Sequence, residues 1–266
     1  MPEYLIESLD DPRLDCYRDL KHAHSRDRDV FIAEGDKLVL RLFDSPCRAE
    51  SILCTKSARE RLADRIPDGV AVYVTTTSVI SRLVGFQFHR GVLAVGVPPA
   101  ERTLRSILES EMTPGRRSLV AICPEIRDPA NLGSIIRSAA AFGATCVIAG
   151  RSGTAPFSRR VLRTSMGAVL HVPIVQTDYW DCVIETLHRH DFESVATVLD
   201  ASAETLLDAA RPPRVAVLFG NEDSGLSVDL TSLCRRRVQV PMANQSISLN
   251  VSVAAGVVLH HFAATR

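Results

Sequence analysis

From Ser118 onward the chain repeats one pattern, a short apolar run, a polar turn and then helical text, and this limits the possible folds more than any other feature. Leu119–Cys123, Thr145–Ala149, Ser194–Leu199, Val215–Phe219 and Arg237–Val240 read as strands. Asn131–Phe142, Tyr179–His190 and Ser248–Ala264 read as helices. Strands alternating with helices predict an α/β unit, a mostly parallel sheet covered by helices on both faces. In such sheets ligands gather at the carboxyl ends of the strands. The loops that matter are therefore Pro124–Ala130, Asp200–Ala203, Gly220–Ser227 and Pro241–Ile247.

Residues 1–100 have a different texture. Val30–Ala33, Ser51–Cys54, Val70–Val74 and Val92–Val97 read as strands, with helical text at Asp36–Phe43, Ser57–Ile66 and Thr77–Val84. Pro98-Pro99 ends the last strand, because proline cannot donate to a ladder. Residues 101–117 are charged and run into Pro-Gly, as a linker with about two helical turns would. Two domains are expected, 1–100 and 118–266.

Composition narrows the function classes. With 46% hydrophobic and 23% charged residues the chain is globular, neither disordered nor collagen-like. No apolar run reaches the ~18 residues of a membrane span, and the first dozen residues are acidic where a secretory signal would be basic and then apolar. A cytoplasmic protein with no membrane partner is expected. Seven cysteines are scattered without a CxxC, which argues against a zinc site or a disulfide framework. The pairs His22/His24 and His188/His190 lie in helical text, where residues two apart diverge, so no metal is expected. Charge balances at 31 basic against 31 acidic residues, but 28 of the cations are arginine. Codon usage in a GC-rich genome accounts for that bias, and so does phosphate recognition by guanidinium forks.

Several phosphate and hydrolase motifs are absent. There is no GxGxxG and no GxSxG. Gly220-Asn-Glu-Asp-Ser-Gly225 has P-loop glycine spacing but continues Leu226-Ser227, without the lysine that reaches terminal phosphates. Three loops remain. Asp128-Pro-Ala-Asn131 opens a helix that carries Arg137, with Asn131 as a candidate cap. Leu218-Phe-Gly220-Asn-Glu222 leaves a strand at a glycine, where backbone can approach a ligand closely, and Ser227 can cap the helix beyond. Val240-Pro-Met then leads through Ser248-Leu249-Asn250 into an apolar helix of small residues, suited to close packing or to a second chain.

In this order, DPxNLGxxxR, FGNExxGLS and VPM(x)₅SLNVSVA strongly resemble the three motifs of the SPOUT superfamily of RNA methyltransferases, in its TrmH/SpoU branch. Arg163-Thr-Ser-Met-Gly-Ala168 resembles the family's connecting segment. Phe31–Gly35 and Arg90–Val95 are similar to parts of its ribosomal-protein-like amino-terminal domain. The resemblance implies a trefoil-knotted methyltransferase domain with a smaller amino-terminal α/β substrate-binding domain. It also implies a homodimer through the carboxy-terminal helix, and S-adenosylmethionine as cofactor. By position, Gly220, Val240 and Leu249 match cofactor contacts, with Leu199 and Asn221 in adjoining loops. Asn131, Arg137, Glu222, Ser248 and Asn250 match catalytic positions, and Arg90 and Arg163 are expected to contact RNA. Asn244 stands where glycine is common and Ile247 where Glu or Gln is common, departures that bear on the third loop and the target nucleotide.

The implied reaction is methylation of a ribose 2′-hydroxyl in RNA, ribosomal RNA ahead of transfer RNA. The family's proposed base is Arg137, yet a guanidinium stays charged at any working pH. A phosphate clamp that stabilises a developing alkoxide suits it better. Two rivals stand beside this reading, a catalytically silent RNA-binding protein of the same fold and a nucleotide-dependent enzyme of a doubly wound fold. The catalytic-position residues disfavour the first and the missing glycine motifs the second.

Overall fold

The computed structural model describes residues 2–18, 20, 30–113, 115–243 and 248–263. His22, His24, Asn244 and Ile247 lie outside the described residues. The chain divides into two compact units, Met1–Ala100 with Phe157–His171, and Glu101–Pro156 with Val172–Arg266.

In the first unit, β1 (Glu3–Leu5), β2 (Phe31–Glu34), β3 (Arg48–Thr55), β4 (Ala71–Thr75) and β5 (Val92–Val97) form a sheet in the order β1-β4-β3-β5-β2. β4 runs parallel to β1 and β3, whereas β5 is antiparallel to β3 and β2. The helices α1 (Asp36–Phe43), α2 (Lys56–Arg61) and α3 (Thr77–Val84) follow β2, β3 and β4. Thr55 and Thr76 cap the last two by accepting a backbone N–H three residues on. One core of this unit gathers Leu14, Tyr17, Leu53, Ile80 and Leu93, and the buried Tyr17 hydroxyl is satisfied by Ser51 Oγ at 2.8 Å.

The second unit begins with α4 (Leu104–Glu111), β6 (Ser118–Cys123), α5 (Pro129–Ala141) and β7 (Cys146–Ala149). The chain then visits the first unit, where it forms α6 (Arg159–Thr164), and returns. β8 (Ile174–Gln176), α7 (Trp180–Arg189), β9 (Glu193–Thr197), β10 (Glu204–Thr205) and β11 (Arg214–Leu218) follow. The last elements are α8 (Val228–Leu233), β12 (Arg236–Gln239) and α9 (Val251–His261). All seven strands are parallel, in the order β10-β12-β9-β11-β6-β7-β8. Alternate residues face opposite sides of a strand. Val120, Ile122, Ala216 and Leu218 pack on one face with α4 and α7, while α5 lies against β6 and β7 and α9 lies against α5. Both faces are covered, as a parallel sheet requires.

Two boundaries differ from the sequence reading. The segment 101–117 is more than a linker, because α4 buries Leu104, Ile107 and Leu108 in the core of the second unit. Residues 157–171, read as part of the second domain, pack with the first unit, where Phe157 stacks on Phe31 at 5.4 Å between ring centroids. β1, β8 and β10 were not foreseen, since two or three residues carry too little pattern to register. Among the described residues no helix is long and apolar enough to cross a membrane.

If α4 is core, Ile107→Ala should cost roughly 2–5 kcal/mol, as a fully buried aliphatic truncation does. An exposed linker position would change stability by no more than ~0.5 kcal/mol. The shift of the urea unfolding midpoint of the intact chain distinguishes the two.

Candidate active site

β6 passes the chain through α5 to β7, whereas β11, its neighbour on the other side, passes it through α8 to β12. Adjacent strands whose connections leave in opposite directions open a crevice at their carboxyl ends. The loops after β6 and after β11 meet there. Phe219 N–H continues the ladder to Ile122 O at 2.9 Å, and Gly220 then turns the chain. A Cβ on Gly220 would lie 2.4 Å from the Gly225 carbonyl carbon and 2.5 Å from Leu226 N. The missing side chain thus makes room for the turn's own backbone, so any substitution must displace the turn before it meets a ligand.

Asn221 holds the turn closed. Its backbone exchanges two 3.0 Å hydrogen bonds with Gly225, and its Oδ1 accepts the N–H groups of Asp223 and Ser224 at 2.9 and 3.2 Å. Its Nδ2 donates to Glu125 O at 2.9 Å, tying this loop to the one after β6. Asn221 was expected beside a cofactor; it is buried and its groups are spent on the fold.

Glu222 makes the second tie. Oε1 accepts from Asn131 Nδ2 at 2.9 Å and from Asp128 N–H at 3.2 Å, and Oε2 accepts from Arg127 N–H at 3.3 Å. Asn131 was read as the cap of α5, but the cap is Asp128, which accepts from Ala130 N–H at 2.8 Å. Pro129 therefore takes the first helical position, where a missing N–H costs nothing. Asn131 falls in the first turn, 7% exposed, with its amide turned inward. Its Oδ1 accepts from Asn250 Nδ2 at 3.1 Å, and Asn250 Oδ1 caps α9 through Ser252 N–H at 2.9 Å. Asn250, Asn131 and Glu222 thus link the three motif loops in one chain of hydrogen bonds.

Burial opposes charge on Glu222, but hydrogen bonds from Asn131 and from backbone N–H groups, including those of Asp128 and Arg127, outweigh it. The carboxyl is held below its ordinary value, ionised and weakly basic. Cys123, at the end of β6, is pushed up to about 12 by burial, with the Glu222 charge acting in the same direction, so it stays a neutral thiol. Among the described residues no group of three or more His, Cys, Asp or Glu could hold a metal ion.

The remaining candidates are not drawn into this network. Arg137 is exposed on α5, and no described residue accepts a hydrogen bond from it or pairs with it. Six helical residues turn it about 120° from Asn131, so the two do not share a face. Ser248 is exposed and precedes the cap of α9, which is Asn250. Leu199 and Leu249 are exposed by 73% and 39%, and Val240 is half-buried. They lie on the loops after β9 and β12, neighbouring strands of the sheet. Exposed aliphatic side chains beside loop backbone amides suit a neutral aromatic ring with a ribose attached. Arg90 and Arg163 are exposed and belong to the first unit. Sequence reasoning missed Arg127 and Asp128 as the backbone donors to Glu222; the Asp-Pro turn was the available signal.

The sequence profile of the SpoU rRNA methylase family matches residues 118–260. An uncharacterized tRNA/rRNA methyltransferase of Mycobacterium bovis is 32% identical over 260 residues, covering 94% of this chain and 88% of its own length. The 23S rRNA (guanosine-2′-O-)-methyltransferase RlmB of Acinetobacter baylyi is 31% identical over 198 residues, 73% of this chain and 78% of its own. An AdoMet-bound rRNA methyltransferase from Sinorhizobium meliloti has a solved structure with a TM-score of 0.81 at 28% identity, over 98% of this chain and 97% of that one.

The lowered Glu222 carboxyl gives a pH dependence of definite sign. Its contribution is complete above the ordinary value of 4.5 and is lost as pH falls through the lower folded value. Amide protection factors at Arg127 and Asp128, measured by NMR, should hold from neutral pH down past 4.5 and collapse only below it. In Glu222→Ala the same amides should be weakly protected at every pH. An unchanged acid transition in that variant would assign it to another group.

Proposed function

The chain belongs to the SpoU rRNA methylase family, and we propose on that footing that it is an S-adenosylmethionine-dependent ribose 2′-O-methyltransferase of RNA, ribosomal RNA ahead of transfer RNA. The observation that carries this reading is the Asn250–Asn131–Glu222 relay, which gathers the three motif loops at the switch point of the sheet. Leu199, Val240 and Leu249 would hold the cofactor, through aliphatic surface and loop backbone. Bound there, S-adenosylmethionine supplies an electrophilic methyl carbon.

The chain's own residues would then bind, orient and stabilise charge. Glu222, saturated with donors and weakly basic, fixes the two loops rather than removing a proton. Asn131 and Asn250 position that frame, and Asn250 fixes the start of α9. Of the candidates at catalytic positions, Arg137 is the cation, and no described residue pairs with it. Its guanidinium can hold a phosphate of the target nucleotide and stabilise negative charge developing on the ribose 2′-oxygen, with the proton leaving to phosphate or water. Arg90 and Arg163 serve to bind RNA in the first unit, the substrate-holding domain of this reading.

Two further features complete the proposal. The family's trefoil knot would involve the last ~80 residues, an exception to the rule that chains do not thread. A homodimer would form through α9, where Val253 and Val257, 53% and 43% exposed, lie one turn apart on one face.

Arg137→Ala should lower single-turnover methyl transfer from labelled cofactor to unmodified RNA by ~10²–10³, with cofactor affinity nearly unchanged by calorimetry. Arg137→Lys should remain badly impaired, because it keeps the charge and loses the fork. Transfer by Arg137→Ala at the wild-type rate would refute the assignment. For the dimer, sedimentation at micromolar concentration should show two copies for the wild type and one for Val257→Asp. A monomeric wild type counts against the interface.

A further inference from the structure

A fourth loop, outside the three motifs, backs the site. β7 ends at Ala149, paired with Cys123 of β6, and Gly150 N–H continues the ladder to Cys123 O at 3.0 Å. The loop after β7 then runs against the loop after β6 with backbone on backbone. A Cβ on Gly150 would lie 1.8 Å from Pro124 O, and one on Gly153 would lie 2.9 Å from Ile126 O. Glycine at both positions permits that approach. Asp178, just after β8, anchors the first half of the loop, where its Oδ1 accepts the N–H groups of Arg151 and Ser152 at 2.9 and 3.4 Å.

The anchored loop presents one side chain to the site. Thr154 N–H donates to Ile126 O at 2.9 Å, and Thr154 Oγ1 donates to Arg127 O at 2.6 Å. Arg127 O belongs to the same peptide unit as Asp128 N–H, which donates to Glu222 Oε1 at 3.2 Å. The unit is planar, so its carbonyl and its N–H turn together. Arg127 and Asp128 are exposed, and packing does not fix the orientation of the peptide between them. Two hydrogen bonds do, one from the threonine hydroxyl and one to the carboxylate. A peptide bonded at both ends is also polarised, which strengthens each bond. Asp128 is in turn the cap of α5, the helix that carries Asn131 and Arg137.

We infer that Thr154 is a positioning residue for methyl transfer, its hydroxyl acting through the Arg127–Asp128 peptide to set Glu222 and the start of α5. The inference rests on the reading of the chain as an RNA methyltransferase.

The test uses the full chain, S-adenosylmethionine, and unmodified ribosomal and transfer RNA transcribed in vitro. Thr154→Val keeps the branched shape and removes the donor, whereas Thr154→Ser keeps the donor. Displacements well below 1 Å at a reacting centre cost roughly tenfold where a full 1 Å costs ~10². Single-turnover transfer at saturating RNA and cofactor should therefore fall about tenfold in Thr154→Val and stay within about twofold of wild type in Thr154→Ser. Affinities for RNA and for the cofactor should be unchanged in both, placing the loss in the chemical step. By NMR, amide protection at Asp128 should drop in Thr154→Val alone, with Phe219, in the ladder of the sheet, protected as in the wild type. Transfer by Thr154→Val at the wild-type rate would overturn the inference. So would an equal loss in Thr154→Ser, which would make the residue a packing element, or a loss of protection at Phe219, which would make the defect one of folding. The wild type, assayed in parallel, separates the two readings. An active wild type with an equally active Thr154→Val removes the positioning role alone, whereas a wild type that transfers nothing to either RNA removes both.

Discussion

The second unit turns on one carboxylate. Glu222 sits where the loops after β6 and β11 meet, and three N–H donors converge on its two oxygens. Partial burial of a charge is unfavourable unless donors replace water, and here the donors more than offset the cost. The bond from Asn131 is continued by the one from Asn250, which in turn caps the closing helix. Loosening Glu222 would therefore untie the loop after β6 from the turn after β11 at Asn131, Asp128 and Arg127, while Asp128, Asn221 and Asn250 still hold their own helix ends and turn. Site geometry and local fold are one hydrogen-bonded object.

That object has a chemical consequence. A carboxylate saturated with donors and held below its ordinary value is a poor proton acceptor. The asparagines cannot serve as bases, and Cys123 is a neutral buried thiol. The network can orient, but it has no group suited to take the proton of a hydroxyl. An electrophilic methyl donor makes little demand for a strong base, and positioning with electrostatic stabilisation is what such a site can supply. Arg137 stands outside this network, exposed and with no partner among the described residues.

Much of this was legible in the residues. Val92–Val97, Asp36–Phe43 and Thr77–Val84 have the bounds that periodicity and capping assign them. Strong local pattern and tertiary packing agree there. The family was legible because DPxNLGxxxR, FGNExxGLS and VPM(x)₅SLNVSVA stand in the order of its three motifs, and the family's profile matches residues 118–260. What escaped was non-local. Nothing in ERTLRSILESEMTPGRR shows that Leu104, Ile107 and Leu108 will be covered, because the surface that covers them comes largely from elements later in the chain. Nothing near Phe157 shows that its partner is Phe31. The tie that Asn221 makes between two loops was hidden for the same reason: its partner, Glu125 O, is 96 residues away.

The arginine bias can now be divided by environment, which sequence could not do. Arg65 pairs with Asp44, Arg151 with Glu101 and Arg189 with Glu185. Such exposed pairs contribute about 0–1 kcal/mol each and need no selection for phosphate. A codon-driven preference for arginine over lysine accounts for them adequately. Arg137, Arg160 and Arg163 have no such acid among the described residues, and each is exposed. An arginine paired with a neighbouring carboxylate adds little to the field a polyanion meets, because the pair is neutral at a distance. Zero net charge therefore does not weigh against an RNA substrate. The charge that a polyanion meets is the unpaired remainder, which among the described residues includes Arg137 on α5 and Arg160 and Arg163 on α6.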